Sequence, residues 1–250
     1  MTDHILIERP ETAPYVQVIR FNRPEKKNAF TRAMYQTMTD ALRAANEASD
    51  IRVTVFLGSE GCFSAGNDMA DFLAFAMSGT MAREVLDFLG ALATAKKPVV
   101  SGVDGLAIGI GATIHLHCDL TIASDRSLFK TPFVDLALVP EAASSLIAPR
   151  LMGHQRAFAL LALGEGFSAA EAKDAGLIWK VTTPEALEAE TLSLAATLAT
   201  KPPEALRIAR DLMRGSTEDV LARIDEEARH FAAQLKSAEA RAAFEAFMKR

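Results

Sequence analysis

Apolar residues along the first half of the chain fall into two alternating rhythms. Short β-branched and aromatic runs at 5–8, 15–21, 52–57, 98–103 and 120–123 have the composition of strands. Between them the apolar positions widen to helical spacing. Thr31 stands where an N-cap belongs, ahead of a stripe at Met34, Met38, Leu42 and Ala45. A second helix is expected through Met69, Phe72, Leu73 and Ala76, broken at Ser78-Gly79. A third is expected from about 81 to 95 and a fourth from about 109 to 117. Strands alternating with helices predict an α/β chain with a mostly parallel sheet and helical crossovers. From about 184 the pattern is helical throughout, with helices at 187–198 and 204–214. A longer one carries Val220, Leu221, Ile224, Ala228, Phe231 and Leu235. That last stripe needs an apolar partner, either the chain's own core or a second subunit. No internal repeat is visible.

Length and composition bound the class. The 250 residues, half of them apolar and 24% charged, suit one large domain or a core with a helical extension. A net charge of −5 argues against broad nucleic-acid binding, which needs a basic face. Two cysteines, Cys62 and Cys118, provide no disulfide framework and fit a reducing cytoplasm. The polar start Met1-Thr2-Asp3-His4 lacks the pattern of a signal peptide, and no apolar run approaches the ~20 residues of a membrane span. The expectation is a soluble, cytoplasmic protein with no membrane partner.

Two glycine-containing turns carry the candidate chemistry. Phe63-Ser64-Ala65-Gly66-Asn67-Asp68 follows the run at 52–57, and the stretch from Gly105 to Gly111 follows the run at 98–103; each opens onto a helix. Such a junction points free N–H groups and the positive end of a helix dipole into one place. Two of them can aim two donors at a single oxygen. Glycine at strand–helix turns is also ordinary punctuation in α/β domains, so spacing alone does not assign an activity.

The residues in these stretches resemble the crotonase (enoyl-CoA hydratase/isomerase) superfamily. The resemblance runs in order along most of the chain. It takes in Asn22-Arg23-Pro24-Glu25-Lys26-Lys27-Asn28-Ala29-Phe30, both glycine turns, Cys118-Asp119-Leu120, the stretch from Phe129-Lys130-Thr131-Pro132 to Ser145, and Ala170-Glu171-Ala172-Lys173-Asp174-Ala175-Gly176-Leu177-Ile178. It implies a right-handed spiral of ββα units over 1–195 and a C-terminal helical oligomerisation region over 196–250. It also implies a homotrimer or homohexamer acting on an acyl-CoA. Coenzyme A is then part of the substrate, and no metal or other cofactor is expected. Matched by position, the amides of Asn67 and Ile110 are the expected oxyanion donors. A β-branched residue at 110 requires negative φ, which the first turn of a helix supplies. The acyl-CoA contacts implied are Ala29, Ser64, Ala65, Gly66, Asn67, Asp68 and Ile110, with Lys26 or Lys27 facing a phosphate. Lys249 and Arg250 are further candidates. Asp68 also suits a helix start.

Acid–base residues decide which reaction such a site runs. The two glutamates used by hydratases correspond here to Thr113 and Phe133, neither of which transfers protons near neutral pH. One carboxylate remains, Glu141, among mostly apolar neighbours that favour a raised pKa. The pattern Thr131-Pro132-Phe133 with Pro140-Glu141 and Ser144-Ser145 looks like that of the peroxisomal-type Δ3,Δ2-enoyl-CoA isomerases, in which the equivalent glutamate is the base. Glu141 also fits a plain helix-N-terminal residue after Pro140. Three functions therefore stand: the isomerase, a hydratase or other crotonase-type enzyme, and a non-catalytic acyl-CoA binder. Competing motifs fall away. His115 and His117 are two apart on a predicted helix and cannot share a metal. Ile114 occupies the third glycine position of a dinucleotide fingerprint. Ser144-Ser145 lacks the setting of a nucleophile elbow.

Overall fold

A computed structural model describes residues 4–71 and 82–248. Among these residues, ten strands build two sheets. β1 (Ile5–Glu8), β2 (Val16–Phe21), β3 (Val53–Leu57), β5 (Val99–Val103), β7 (Leu120–Ser124) and β10 (Lys180–Thr182) form the larger one in that spatial order. Apart from the antiparallel β1–β2 pair, its ladders are parallel. The smaller sheet orders β4 (Cys62–Ser64), β6 (Leu106–Ile108), β8 (Leu128–Lys130) and β9 (Phe167–Ser168). Each successive pair, β3–β4, β5–β6 and β7–β8, gives one strand to each sheet, which is the ββα spiral that the resemblance implied.

The short strands were the part hidden from periodicity. By sequence pattern the glycine turns come directly after 52–57 and 98–103. The structure inserts β4 and β6 between, so Phe63-Ser64 and Leu106 to Ile108 are strand, not turn. Three residues are too few to display an alternating pattern, and these were masked by the glycines beside them.

Helices are α1 (Arg32–Glu47), α2 (Arg83–Ala93), α3 (Ile110–Thr113), α4 (Ser144–Met152), α5 (His154–Leu161), α6 (Ala169–Asp174), α7 (Pro184–Ala199), α8 (Pro203–Arg214), α9 (Thr217–Leu235) and α10 (Ala238–Met248). Thr31 caps α1 as expected, its Oγ1 accepting from the Met34 amide at 3.3 Å. The helix expected over 109–117 is instead a single α turn, α3, followed by a 3₁₀ turn at Ile114–His117. Three β-branched residues in that stretch weaken an α-helix. His115 is also drawn into the core, where Ser101 Oγ lies 2.9 Å from its Nδ1. Residues 69–71 begin a helix; its expected continuation through Phe72 and Ala76, and the break at Ser78-Gly79, lie outside the described residues.

Strand alternation divides the core cleanly. On β2, Val16 and Val18 face α7, whereas Ile19 and Phe21 face the interior of the spiral. That interior holds an aromatic cluster in which Phe21 meets Phe30 and Phe63 edge-on at 4.8 and 4.9 Å. The C-terminal helices join the same core through Ile224, Phe231, Leu235, Ala240 and Phe244. α7 packs on the large sheet and continues to Ala199, so a division after 195 falls inside one helix. Among the described residues no helix is long and apolar enough to cross a membrane.

α8 is the exception to this packing, because its one buried residue is Arg210. The guanidinium pairs with Asp119 at 2.8 Å and donates to the Ala95 carbonyl. Asp119 also accepts from the Val99 amide at 2.8 Å, which links α8 to the start of β5. Arg210→Met leaves that mostly buried carboxylate without its cation and is expected to cost about 3 kcal/mol. Urea unfolding of the variant checks this.

Candidate active site

The two glycine turns meet because their glycines admit contact that no side chain would. A Cβ on Gly66, whose φ is +92°, would stand 3.0 Å from the Ile108 carbonyl oxygen. One on Gly111 would stand 2.8 Å from the Ser64 carbonyl oxygen. With both absent, β4 and β6 lie parallel and the turns following them face one cavity of about 590 Å³. Ala65, Gly66, Asn67 and Ile110 line it, as does Glu141 from a different part of the chain. Ile110 opens α3 with ordinary negative φ. Neither the Asn67 nor the Ile110 amide donates to another described residue.

The remaining expected contact residues support that turn from behind. Ser64 is buried, its Oγ accepting from the Gly66 amide at 3.1 Å and donating to the Asn28 carbonyl at 2.9 Å. Asp68 accepts from the Ala70 amide at 2.9 Å and from Arg23 at 2.7 Å. Burial works to raise its pKa, but Arg23 and the helix-start amides outweigh this and hold the carboxyl below its usual range. Lys26 and Ala29 do not line the cavity. They sit on the 22–30 loop, exposed and half-buried respectively, which hydrogen-bonds to the turn through Ala65 N to Lys27 O at 2.8 Å and Phe30 N to Gly66 O at 2.7 Å. Lys249 and Arg250 lie outside the described residues.

Glu141 is only 4% exposed. Its Oε1 accepts a hydrogen bond of 2.6 Å from the Thr113 hydroxyl. Burial pushes its pKa up to about 8; the Thr113 bond opposes the rise, and the nearby Glu227 adds to it. Thr113, which the resemblance matches to one hydratase glutamate, thus serves as a donor to Glu141. Phe133, which it matches to the other, is buried and forms part of the cavity wall. Asp135, also on the wall, is exposed.

Several participants escaped the sequence reading. Tyr35 is fully enclosed and donates to Asn67 Oδ1 at 2.5 Å; burial, then the charge of Glu141, raises its pKa well above the ordinary value and keeps it a donor. Phe231 and Phe244 close the cavity from α9 and α10. Phe231 was legible as part of an apolar stripe, but the stripe does not reveal what it faces. Glu227 had a clearer signal, an acidic residue three after Ile224 and four before Phe231 on the apolar face of a helix. His115 and His117 are both buried in the core, the latter 2.7 Å from the Ala142 carbonyl. Burial pushes their pKa values down to about 3 and about 4, so both are neutral near pH 7.

Known proteins share this arrangement of chain. A family model described as "Enoyl-CoA hydratase/isomerase" matches residues 11–250. The rat protein named enoyl-CoA delta isomerase 2 is 37% identical over 216 residues, 84% of this chain and 54% of its own length. The chain therefore spans about half the length of that curated relative. A Rhizobium meliloti protein named probable enoyl-CoA hydratase is 33% identical over 217 residues, 85% of this chain and 82% of that one. The solved structure of OdaA from Pseudomonas aeruginosa superposes with a TM-score of 0.93 at 37% identity, covering 100% of both chains. With the family model spanning all but the first ten positions, the chain belongs to the enoyl-CoA hydratase/isomerase family of the crotonase superfamily.

Proposed function

We propose that this protein is a Δ3,Δ2-enoyl-CoA isomerase. The observation that carries the reading is Glu141, a buried carboxylate whose pKa stands near 8, lining the same cavity as two amides that donate to no other described residue. The thioester oxygen of a 3-enoyl-CoA would sit between the Asn67 and Ile110 amides. Ionised Glu141 would remove a proton from C2, and the electron pair would pass into a dienolate held at that oxygen. The resulting carboxylic acid would return the proton at C4, leaving the conjugated 2-enoyl-CoA. Each oxyanion donor contributes roughly 3–4 kcal/mol to such a transition state. The proton leaves and returns through one group, so the chemistry requires neither metal nor redox cofactor.

Water addition needs a second acid–base group to activate the water. The residues at the hydratase positions, Thr113 and Phe133, do not supply one. Hydration remains the alternative because the Rhizobium meliloti relative is named a probable hydratase. The reading also carries an assembly of three or six copies. In support, Ile208, Leu212 and Met213 of α8 lie exposed, the last two by about four-fifths of their surface.

Purified protein offered 3-enoyl-CoA should produce the conjugated ester, and offered 2-enoyl-CoA should hydrate it little. The reverse preference replaces the isomerase with a hydratase, and tight binding with no turnover of either ester makes the chain a binder. Glu141→Gln should lower isomerisation by roughly 100-fold or more. An unchanged rate removes Glu141 from the chemistry.

Because the base must be ionised, kcat/KM should rise with pH through an apparent pKa of about 8 and level off above it. Thr113→Val removes a hydrogen bond that favours the ionised form. Its profile should shift to higher pH, with rates at pH 7 falling several-fold. A pH–rate series on both proteins checks the direction.

A further inference from the structure

One acidic side chain enters the apolar face of α9. Glu227 is buried, and its Oε2 accepts from the Ala143 amide at 2.6 Å while its Oε1 accepts from the Ser145 amide at 2.9 Å. These amides follow Glu141 by two and four positions. The turn between them is unfavourable by itself. Ala142 and Ala143 both adopt left-handed φ, at +62° and +53°, where a Cβ crowds the carbonyl that follows. Neither is a glycine, so an outside contact must hold the geometry. Both oxygens of Glu227 are committed to N–H donors, a pattern that suits a carboxylate; a carboxamide there would turn its NH2 toward another N–H.

We propose that Glu227 is a positioning residue for the Glu141 base. It clamps the left-handed Ala142-Ala143 turn to α9 and sets a second negative charge beside the Glu141 carboxyl. The inference rests on Glu141 being the base. It deepens that function by tying the base to the docking of α9, the helix that also supplies Phe231 to the cavity wall.

The charges facing this pair are few. On α9 itself Arg223 is the near cation, but it is shared with Glu226 at 2.9 Å and donates to Ser145 Oγ at 3.1 Å. α1 presents Tyr35, which stays neutral. On α2, Glu84 pairs with Arg32 of α1 at 2.7 Å and Asp87 with Arg43 of α1 at 3.5 Å, while Arg83 is exposed and meets Asp87 at 3.6 Å. The 3₁₀ turn at Ile114–His117 presents His117, neutral through burial. Arg150 sits in the last turn of α4, at the end away from the clamp. On α10, Glu239, Arg241 and Glu245 are exposed. After burial, the charge of Glu227 is the influence that raises the Glu141 pKa, against the opposing Thr113 bond. Burial raises the pKa of Glu227 as well, while its bonds to Ser145 and to the Ala143 amide and the charge of Arg223 favour its ionised form.

The test uses Ala142→Gly with Ala143→Gly as background, since glycine takes left-handed φ without strain and relieves the fold of needing the clamp. In that background Glu227→Gln is compared with its parent, following 3-enoyl-CoA isomerisation from roughly pH 5.5 to 9.5. Removing the like charge should lower the apparent pKa of the acid limb by about one unit. The plateau kcat should fall on the order of tenfold as the base loses its fixed placement, with KM changed less than about twofold. Glu227→Asp, which keeps the charge, should retain the parental acid limb. A Glu227→Gln profile superimposable on that of its parent overturns the proposal. So does loss of folded structure in the glycine background, which would make Glu227 a stability residue only. Glu141→Gln is run alongside. If that variant keeps its rate, the base assignment itself fails; if it is inactive while Glu227→Gln is unaltered, only the present inference fails.

Discussion

Direct backbone contact between the two glycine turns is the constraint on which the site depends. Gly66 rests against the Ile108 carbonyl and Gly111 against the Ser64 carbonyl, at separations that any Cβ would fill. A side chain at either place would drive β4 and β6 apart, and with them the amides of Asn67 and Ile110. Pre-placed donors stabilise developing charge because no reorganisation is needed during the reaction. The same closeness explains why much of the surrounding polar network is spent on the turns. Ser64, Asp68, Asn28 and Arg23 all bond to main-chain groups in or next to the first turn.

A second constraint is electrostatic. Burying Glu141 in a largely apolar wall disfavours its charge and raises its affinity for a proton. A carboxylate left at its ordinary pKa would be too weak a base for a carbon acid, whereas one near 8 is still partly ionised at neutral pH. Thr113 tempers the shift through its hydroxyl. A hydroxyl at Thr113 and a phenyl at Phe133 leave Glu141 as the buried carboxylate of the cavity wall, with Asp135 at its exposed edge.

The C-terminal helices are part of this wall and share the core. Ile224, Phe231, Leu235 and Phe244 belong to the same apolar cluster as the spiral's aromatics, so the cavity is completed by the chain's own last two helices. α8 behaves differently. It is held through the ion pair of Arg210 with Asp119 and otherwise exposes an apolar side. Hydrophobic periodicity could find both kinds of helix, since each has a stripe. It could not tell an inward stripe from an outward one, because that depends on where neighbouring elements lie.

From the sequence alone came the long strands of the larger sheet, the capped first helix, the helical stretch from about residue 184 and the ordered motifs that mark the family. Each rests on local chemistry: β-branched runs, a hydroxyl ahead of an apolar stripe, glycines where a turn must tighten. The short strands β4, β6 and β8 were beyond that reach, being stabilised by pairing across the spiral and not by their own composition. Glu141 was visible as an acid in apolar company, but its partners were not. Thr113, Tyr35 and Glu227 lie 28, 106 and 86 positions away along the chain, and only folding puts Thr113 on its carboxylate, Tyr35 on Asn67 and Glu227 on the turn beside it. Side-chain type is written in the sequence, whereas the field and contacts that raise a carboxylate's affinity for a proton arise from residues distant along it.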